Sequence, residues 1–242
     1  MAELCAADVH VVPAVPAIEA PTPAMVGDPR YLYAGPLLLP DDWTMRLMMP
    51  PERAAAVGTA CEQFFERNTG RPTVFMTFGA AQTFREEGRA CVRALIDRGL
   101  AVVSTFSVGE LEPETRPLHY WSPLVPMHAV CARADVVVHQ CGSGTYHYPL
   151  LHGRPAVTLG TGFFDREDVA LRLQELGLGT HIAETTDERA LVRDLVGAVE
   201  GCLEAVRSGR FGARLDPIRK EVARVTTAFS FSHALEQALS HV

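Results

Sequence analysis

The sequence lacks several features that define whole classes of protein. Its 242 residues carry 22 Lys and Arg against 29 Asp and Glu, a formal net charge of −7. This balance argues against a nucleic-acid-binding protein, which needs an excess of basic residues. No apolar run reaches the roughly 18 residues of a membrane span, and the first residues lack the pattern of a signal peptide. We therefore expect a cytoplasmic protein that binds neither nucleic acid nor membrane.

Paired cysteines and clustered metal ligands are missing as well. The six cysteines are scattered without a CxxC pair: Cys5, Cys61, Cys91, Cys131, Cys141 and Cys202. Several lie in apolar stretches, where a reduced thiol behaves as a small core residue. Histidines and carboxylates do not show the spacing of zinc ligands. We expect free thiols, no metal and no cofactor.

The first fifty residues differ in texture from the rest. Nine prolines lie in residues 13–51, a density that predicts an extended linker rather than a helix or a central strand. Before them, residues 7–12 predict one short buried strand without neighbours of its own. We interpret residues 1–50 as a remnant strand of another domain and an interdomain linker, and residues 51–242 as one domain with C-terminal helices.

From residue 72 onwards, short apolar runs alternate with amphipathic stretches, which predicts βα units around a parallel sheet. The predicted strands are residues 73–78, 101–106, 119–121, 135–139, 156–159 and 180–182. The predicted helices are residues 52–67, 84–98, 127–133, 145–152, 167–176, 187–207 and 216–240. Thr185 and Glu188 have the spacing of a capping box. The fold class is α/β, a doubly wound parallel sheet of the Rossmann-like kind.

The most informative run is the strand that ends at His139 and breaks into Gly142, Ser143, Gly144 and Thr145 before a predicted helix. Such a turn offers backbone amides, two hydroxyls and a helix N-terminus to an anion, and His139 stands where open α/β sheets bind ligands. A diphosphate fits these groups. The simpler alternative is a tight turn without a ligand. A dinucleotide fingerprint would need glycine at His147, and a P-loop would need a lysine followed by Ser or Thr.

Three further loops follow predicted strands at the same edge. Gly79 lies in the small-residue loop Thr77-Phe78-Gly79-Ala80-Ala81, and Trp121 ends another strand where its indole can stack on a nucleobase. Asp165 and Arg166 follow a third strand and suit sugar hydroxyls and phosphate. Each has a structural alternative: an ordinary turn, a core tryptophan, and an N-cap at Asp165.

Taken together and in order, these motifs resemble the UDP-glycosyltransferase family, of the two-Rossmann-domain (GT-B) type that includes plant natural-product and bacterial antibiotic enzymes. The family stretch runs Trp-Ala-Pro-Gln, a His-Gly-Gly-Ala-Gly-Thr-like turn, Gly-Val-Pro, and then Asp-Gln. The matching residues are Trp121-Ser122-Pro123, His139, Gly142-Ser143-Gly144-Thr145, Gly153-Arg154-Pro155 and Asp165. The resemblance covers about residues 30–241 and implies the C-terminal, donor-binding half of such an enzyme.

The resemblance implies a role for each motif in holding a UDP- or dTDP-sugar. It assigns the base to Trp121, Ser122, Pro123 and Leu124. It assigns the diphosphate to His139, Gly142, Ser143, Gly144, Thr145 and Gly79. It assigns the sugar to Asp165 and Arg166 and the ribose to the position of His147. The family works without metal and with inversion, through stabilisation of the leaving diphosphate.

Departures from the family pattern leave the nucleotide and sugar open, because Leu124, His147 and Arg166 replace a glutamine, a glutamate and a glutamine. The acceptor domain with its histidine base has no counterpart, so no catalytic residue is assigned. His10 lies within a strand and is a poor substitute. We predict a hexosyltransferase-like donor half that is inactive without an acceptor domain, supplied by a partner subunit or in a homodimer. The alternatives are a non-catalytic regulatory subunit and a sugar-nucleotide epimerase.

Overall fold

The computed structural model describes residues 9–79 and 85–230, together with positions 232 and 236. The chain divides into two compact units, one formed by residues 1–38 and 216–242 and the other by residues 39–215. The sequence analysis divided the chain at residue 50 by expected function, into a linker and a donor-binding domain, whereas these two units are defined by contacts. The division at residue 50 therefore stays a prediction.

The first unit contains a short parallel pair of strands. Strand β1 (His10–Val12) lies beside β2 (Tyr31–Tyr33), with His10 opposite Tyr31 and Val12 opposite Tyr33. The expectation of a buried strand without neighbours is therefore wrong: β1 is half-buried, and its partner comes from the proline-rich stretch. The strand pair needs only three residues of the proline-rich stretch. A segment this short can lie between prolines, so a high proline content does not exclude it. The first residues of the predicted strand lie outside the described part of the chain.

Two helices open the second unit, α1 (Asp41–Met48) and α2 (Pro51–Arg67). The proline-rich stretch was expected to contain no helix, and α1 shows that this is wrong. Pro40 is the N-cap of α1, and Pro51 is the first residue of α2. Proline is tolerated there because the first helical amides have no partner within the helix. Phe64 and Phe65 of α2 are buried, as predicted.

A six-stranded sheet forms the centre of the second unit. Its elements are, in chain order, β3 (Thr73–Met76), α3 (Arg85–Asp97), β4 (Ala101–Ser104), β5 (His119–Trp121), α4 (Met127–Arg133), β6 (Val136–His139), α5 (His147–Leu151), β7 (Ala156–Leu159), α6 (Phe164–Glu175), β8 (Gly179–Ile182), α7 (Glu188–Arg207) and α8 (Arg210–Ala228). Each predicted strand is present, with small differences at its ends. Helix α8 begins earlier than predicted and contains the boundary between the two units.

The strands are all parallel and lie in the order β5-β4-β3-β6-β7-β8. The chain builds outward from β3 in one direction and then from β6 in the other, which is the doubly wound topology that the sequence predicts. In such sheets the ligand crevice lies outside the carboxyl ends of the strands, where the order reverses. Here that place lies between β3 and β6.

Both faces of the sheet are buried. Val74, Met76 and Val138 belong to a core cluster with residues of α3 and α7. Side chains alternate along a strand, so Phe75 and Val137, also fully buried, point to the other face. This explains why the strands are continuously apolar rather than alternating. Cys61, Cys91, Cys131, Cys141 and Cys202 are buried free thiols, as expected.

The capping box predicted before α7 is wrong. Asp187 is the N-cap, and its carboxylate accepts hydrogen bonds from the amides of Arg189 and Ala190 at 3.0 and 3.1 Å. The Thr185 hydroxyl instead accepts from the amide of Asp187 at 3.1 Å. Threonine and aspartate both occur as N-caps, so the spacing in the sequence did not show whether Thr185 or Asp187 caps the helix. Within the described residues, no helix is long and apolar enough to cross a membrane.

Candidate functional site at the carboxyl edge of the sheet

The loops after β3 and β6 meet at the point where the strand order reverses. The Thr77 amide donates to the Val138 carbonyl at 2.9 Å, and the Gln140 side-chain amide donates to the Phe78 carbonyl. Gly79 has a φ of 59°, and a Cβ there would lie 3.9 Å from Gln140 Nε2. The structure therefore brings Gly79 beside the β6 loop, as the shared edge predicts. Ala80 and Ala81 lie outside the described residues.

His139 ends β6 as a fully buried imidazole. Its Nδ1 accepts a hydrogen bond from the Cys141 amide at 3.0 Å, and burial lowers the pKa of His139 to about 4. The ring is therefore neutral at pH 7 and carries its proton on Nε2. In the structure as described, Nε2 has no hydrogen-bond partner. A buried donor without a partner costs about 1–3 kcal/mol.

The small-residue turn follows directly. Cys141 has a φ of 52°, an uncommon value for a non-glycine residue and one that marks local strain. Thr145 donates its amide to the Gly142 carbonyl at 2.8 Å, while the described contacts leave the amides of Gly142, Ser143 and Gly144 without an acceptor. A Cβ at Gly144 would meet no atom within 4 Å. These amides are thus available to an anion.

The helix expected to start at Thr145 begins only at His147 and has five residues. That expectation is wrong because residues 143–146 form a turn instead. A macrodipole sums over aligned peptide units, so a helix this short adds little positive potential. The groups that this loop offers to an anion are therefore the turn amides and the hydroxyls of Ser143 and Thr145 rather than a helix dipole.

Sequence reasoning missed Gln140. Its side chain is 4% exposed, its Nε2 holds the Phe78 carbonyl, and its Oε1 has no partner among the described residues. The family turn of six residues ends in threonine, and counting back from Thr145 places its histidine at Gln140, one residue after His139. This count along the family motif could have identified Gln140 from the sequence.

Trp121 ends β5 with its side chain 48% exposed, so the alternative of a core tryptophan is wrong. Ser122 is buried and donates its hydroxyl to the Leu124 carbonyl at 2.7 Å, which fixes the turn after the strand. Pro123 is exposed and Leu124 half-buried. Three strand spacings separate β5 from β6, roughly 14 Å. The indole is thus exposed at the same edge as the turn.

Asp165 is exposed in the first turn of α6, where Phe163 is the N-cap, so the N-cap alternative for Asp165 is wrong. The Arg166 guanidinium lies 5.0 Å from the centre of the Phe163 ring. Glu167 was not singled out from the sequence. Its carboxylate accepts from the amides of Thr161 and Gly162 at 2.7 and 3.2 Å.

The second oxygen of Glu167 lies 2.9 Å from Nε2 of His181 on β8. Together with the two amide contacts, this pair fixes the loop that precedes Asp165 and Arg166.

The structure does not bring His147 to the crevice surface. This residue is 3% exposed, and its ring lies 3.8 Å from that of the fully buried Tyr146. The ribose role of His147 stays a prediction. In the part of the chain that the structure describes, no three His, Cys, Asp or Glu side chains are placed to hold a metal ion.

Comparison with known proteins gives a consistent result, although no family model matches the chain. The 4'-demethylrebeccamycin synthase of Lentzea aerocolonigenes is 28% identical over 210 residues, which are 86% of this chain and 45% of the relative. The aklavinone 7-beta-L-rhodosaminyltransferase of Streptomyces galilaeus is 30% identical over 119 residues, 46% of this chain and 27% of the relative. The chain thus spans less than half the length of these relatives.

Solved structures share the fold. The glycotransferase of kitacinnamycin superimposes with a TM-score of 0.65 at 21% identity, over 90% of this chain and 52% of that one. The glycosyltransferase VinC in complex with dTDP gives 0.61 at 23% identity, over 96% of this chain and 52% of that one. The chain is therefore similar in sequence to antibiotic glycosyltransferases, and its six-stranded parallel sheet with flanking helices has the fold of the Rossmann-like domains of GT-B glycosyltransferases.

Proposed function

We propose that this chain binds a nucleoside diphosphate sugar and supplies the donor half of an inverting, metal-independent glycosyl transfer to a natural-product acceptor. One observation carries the proposal. Three backbone amides, those of Gly142, Ser143 and Gly144, have no acceptor among the described residues and lie in the short turn after His139, whose Nδ1 is bonded to the Cys141 amide. Hydrogen-bond donors gathered in this way, next to open space, suit a diphosphate.

The comparisons support the same ligand class. The relatives are named as a synthase and a rhodosaminyltransferase of antibiotic compounds, and a structure with the same fold is a complex with dTDP. By analogy with these proteins, the nucleotide bound by the present chain would be UDP or dTDP. Trp121 would stack on the base, and Asp165 and Arg166 would contact the sugar.

The proposed chemistry is stabilisation of the leaving group. As the bond between sugar and diphosphate breaks, negative charge grows on the diphosphate oxygens. Amides and an imidazole N–H that are already oriented stabilise that charge without reorganising. Because the pKa of His139 is about 4, the imidazole acts as a neutral donor at pH 7 rather than as a cation. An acceptor half would supply the base that activates the acceptor hydroxyl.

The test is calorimetric titration of the chain with UDP and with dTDP, in the presence and absence of EDTA. We expect binding of at least one nucleotide, with the same affinity in both buffers, because the donors are protein groups. Strict dependence on Mg²⁺ would contradict the metal-free mechanism. Absence of heat with both nucleotides would refute the donor-binding function and leave only the fold.

A further inference from the structure

The loop after β7 is held by a set of hydrogen bonds that closes on itself. Thr158 on β7 and His181 on β8 are opposite each other in the sheet, and the Thr158 hydroxyl lies 3.0 Å from Nδ1 of His181. Nε2 of the same ring lies 2.9 Å from one carboxylate oxygen of Glu167 on α6. The other oxygen accepts from the amides of Thr161 and Gly162. This set of bonds, the β7 network, thus begins on β7 and returns to the loop that follows it.

The Glu167 side chain is the centre of the β7 network, because it accepts from three N–H groups at once. These are the two loop amides and Nε2–H of His181. Hydrogen bonds to a carboxylate are stronger than those between neutral groups. Water also has limited access, since the side chains of His181 and Glu167 are 6% and 25% exposed. The network therefore restrains the loop more firmly than the loop's own backbone would.

The restrained loop leads to the two residues assigned to the donor sugar. It runs directly into α6, whose first turn carries Asp165 and Arg166. The groups assigned to the nucleotide belong to other loops: Trp121 ends β5, which three strands separate from β7, and the turn at 142–145 follows β6. The loop after β7 also has little room, because a Cβ at Gly160 would collide with the backbone of Glu184. Its position therefore bears on the sugar rather than on the nucleotide.

We propose that Glu167 and His181 are positioning residues for the donor sugar: they hold the loop after β7 so that the first turn of α6 meets the sugar, and they do not touch the ligand themselves. This inference rests on the proposed donor-binding function. Groups that are already oriented lose less conformational freedom when a ligand binds. Breaking the β7 network should therefore weaken the sugar contact and leave the nucleotide contact intact.

The experiment compares two ligand pairs, UDP with UDP-glucose and dTDP with dTDP-glucose, by calorimetry. The ratio of the Kd for the sugar nucleotide to the Kd for the nucleotide isolates the sugar contribution. Glu167→Met removes the acceptor of all three N–H groups. In this variant we expect the ratio to rise about threefold to tenfold in the pair that binds, while the Kd for the nucleotide stays unchanged.

Glu167→Gln is the conservative variant. Its side-chain oxygen can accept from the two loop amides, and its NH₂ group can donate to Nε2 of His181, because a neutral imidazole can carry its proton on Nδ1 and donate it to Thr158. This variant should keep the wild-type ratio. Glu175→Met is the matched control, since Glu175 is an exposed carboxylate of the same helix and pairs with Arg172 at 3.0 Å. It should leave the ratio unchanged.

Two results would overturn the inference. An unchanged ratio in Glu167→Met, including equal weakening of nucleotide and sugar nucleotide, would show that the β7 network only stabilises the fold. A ratio raised equally in Glu167→Met and Glu167→Gln would show that the charge acts on the sugar rather than the position of the loop. If Glu167→Met does not fold, His181→Phe takes its place, because it keeps a ring and removes the Nε2–H donor: a raised ratio supports the inference and an unchanged one overturns it.

The wild-type titrations separate this inference from the function on which it rests. Binding of nucleotide but of neither glucose nucleotide refutes the sugar role of the loop after β7 alone. No binding of any of these ligands refutes the donor-binding function as well.

Discussion

At the scale of single residues, burial decides the chemistry of the histidines. His139 and His119 are held at a pKa of about 4 because desolvation disfavours the imidazolium. His119 contacts the Ser104 hydroxyl at 2.8 Å, and His139 is bonded to the Cys141 amide. Among the side chains that the structure describes, neither histidine has a carboxylate partner that would restore its charge. Both are therefore neutral under physiological conditions.

This burial predicts a loss of stability in mild acid. The unfolded chain takes up a proton at each of these histidines near pH 6.5, but the native chain does so only near pH 4. Stability is therefore complete above pH 6.5 and falls as the pH drops towards 4, by up to about 2 kcal/mol per histidine at pH 5. Urea denaturation of the chain and of His139→Gln and His119→Gln at pH 7.5 and pH 5 measures it. Each variant should lose less stability between the two pH values than the parent chain, and equal losses would contradict the assignment.

The second residue-scale prediction concerns the two tryptophans. If Trp121 is a base platform, Trp121→Ala should weaken nucleotide binding by about 1–3 kcal/mol, because base stacking on an aromatic ring is lost. The fold should survive because the side chain is half exposed. Trp43→Ala is the control, since Trp43 is 62% exposed on α1. Affinity by calorimetry and the melting temperature are the readouts. Unfolding of Trp121→Ala, or equal binding losses in both variants, would speak against a platform.

At the scale of elements, the turn at 142–145 illustrates how a loop becomes available to a ligand. In a longer helix starting at Thr145, the first backbone amides would all have pointed along the helix axis. The five-residue α5 leaves the preceding residues in a turn, in which the amides of residues 142–144 have no acceptor among the described residues. The Glu167 carboxylate holds the corresponding loop after β7. Two loops at neighbouring strand ends are thus shaped by different means.

The turn makes a prediction for Gly144. Its φ lies outside the left-handed region and a Cβ there meets nothing within 4 Å, so Gly144→Ala should fold normally. If phosphate approaches this backbone, the added methyl group blocks it, and UDP affinity should fall about tenfold while uridine affinity is unchanged. The control is Gly197→Ala within α7, also in open space, which should leave binding unaltered. If calorimetry shows that UDP and uridine lose affinity to the same extent, the phosphate does not bind at this turn.

At the scale of the whole molecule, α1 has an exposed apolar face. Trp43, Leu47 and Met48 are 62%, 71% and 70% exposed, although Met45 on the same helix is buried. Residues three and four apart share a face of a helix, so Trp43 and Leu47 lie side by side. Apolar side chains grouped on a surface are typical of contacts with other proteins.

The 242-residue chain is expected not to transfer sugar on its own. Transfer needs a base and a surface that orients the acceptor, and neither has been assigned to the described residues. Incubation with a sugar nucleotide and hydroxylated acceptors, with and without an acceptor domain from a related enzyme, should give glycoside only in the combined reaction. Turnover by the chain alone would contradict this, and His10 and His119 would be the first residues to replace. Epimerised sugar nucleotide would instead support the epimerase alternative.

The sequence by itself determined the sheet, because short continuous apolar runs that alternate with amphipathic stretches are local patterns typical of a buried parallel sheet. It also placed Trp121, His139, the turn at 142–145 and Asp165 at strand ends, which parallel topology gathers at one edge. The tertiary structure alone decided the rest. It paired β1 with Tyr31–Tyr33, shortened α5, buried His147 and joined Gln140 to Phe78 across two strands. These features depend on contacts between residues distant in sequence, or on whether a loop closes into a helix, and neither is encoded in local spacing.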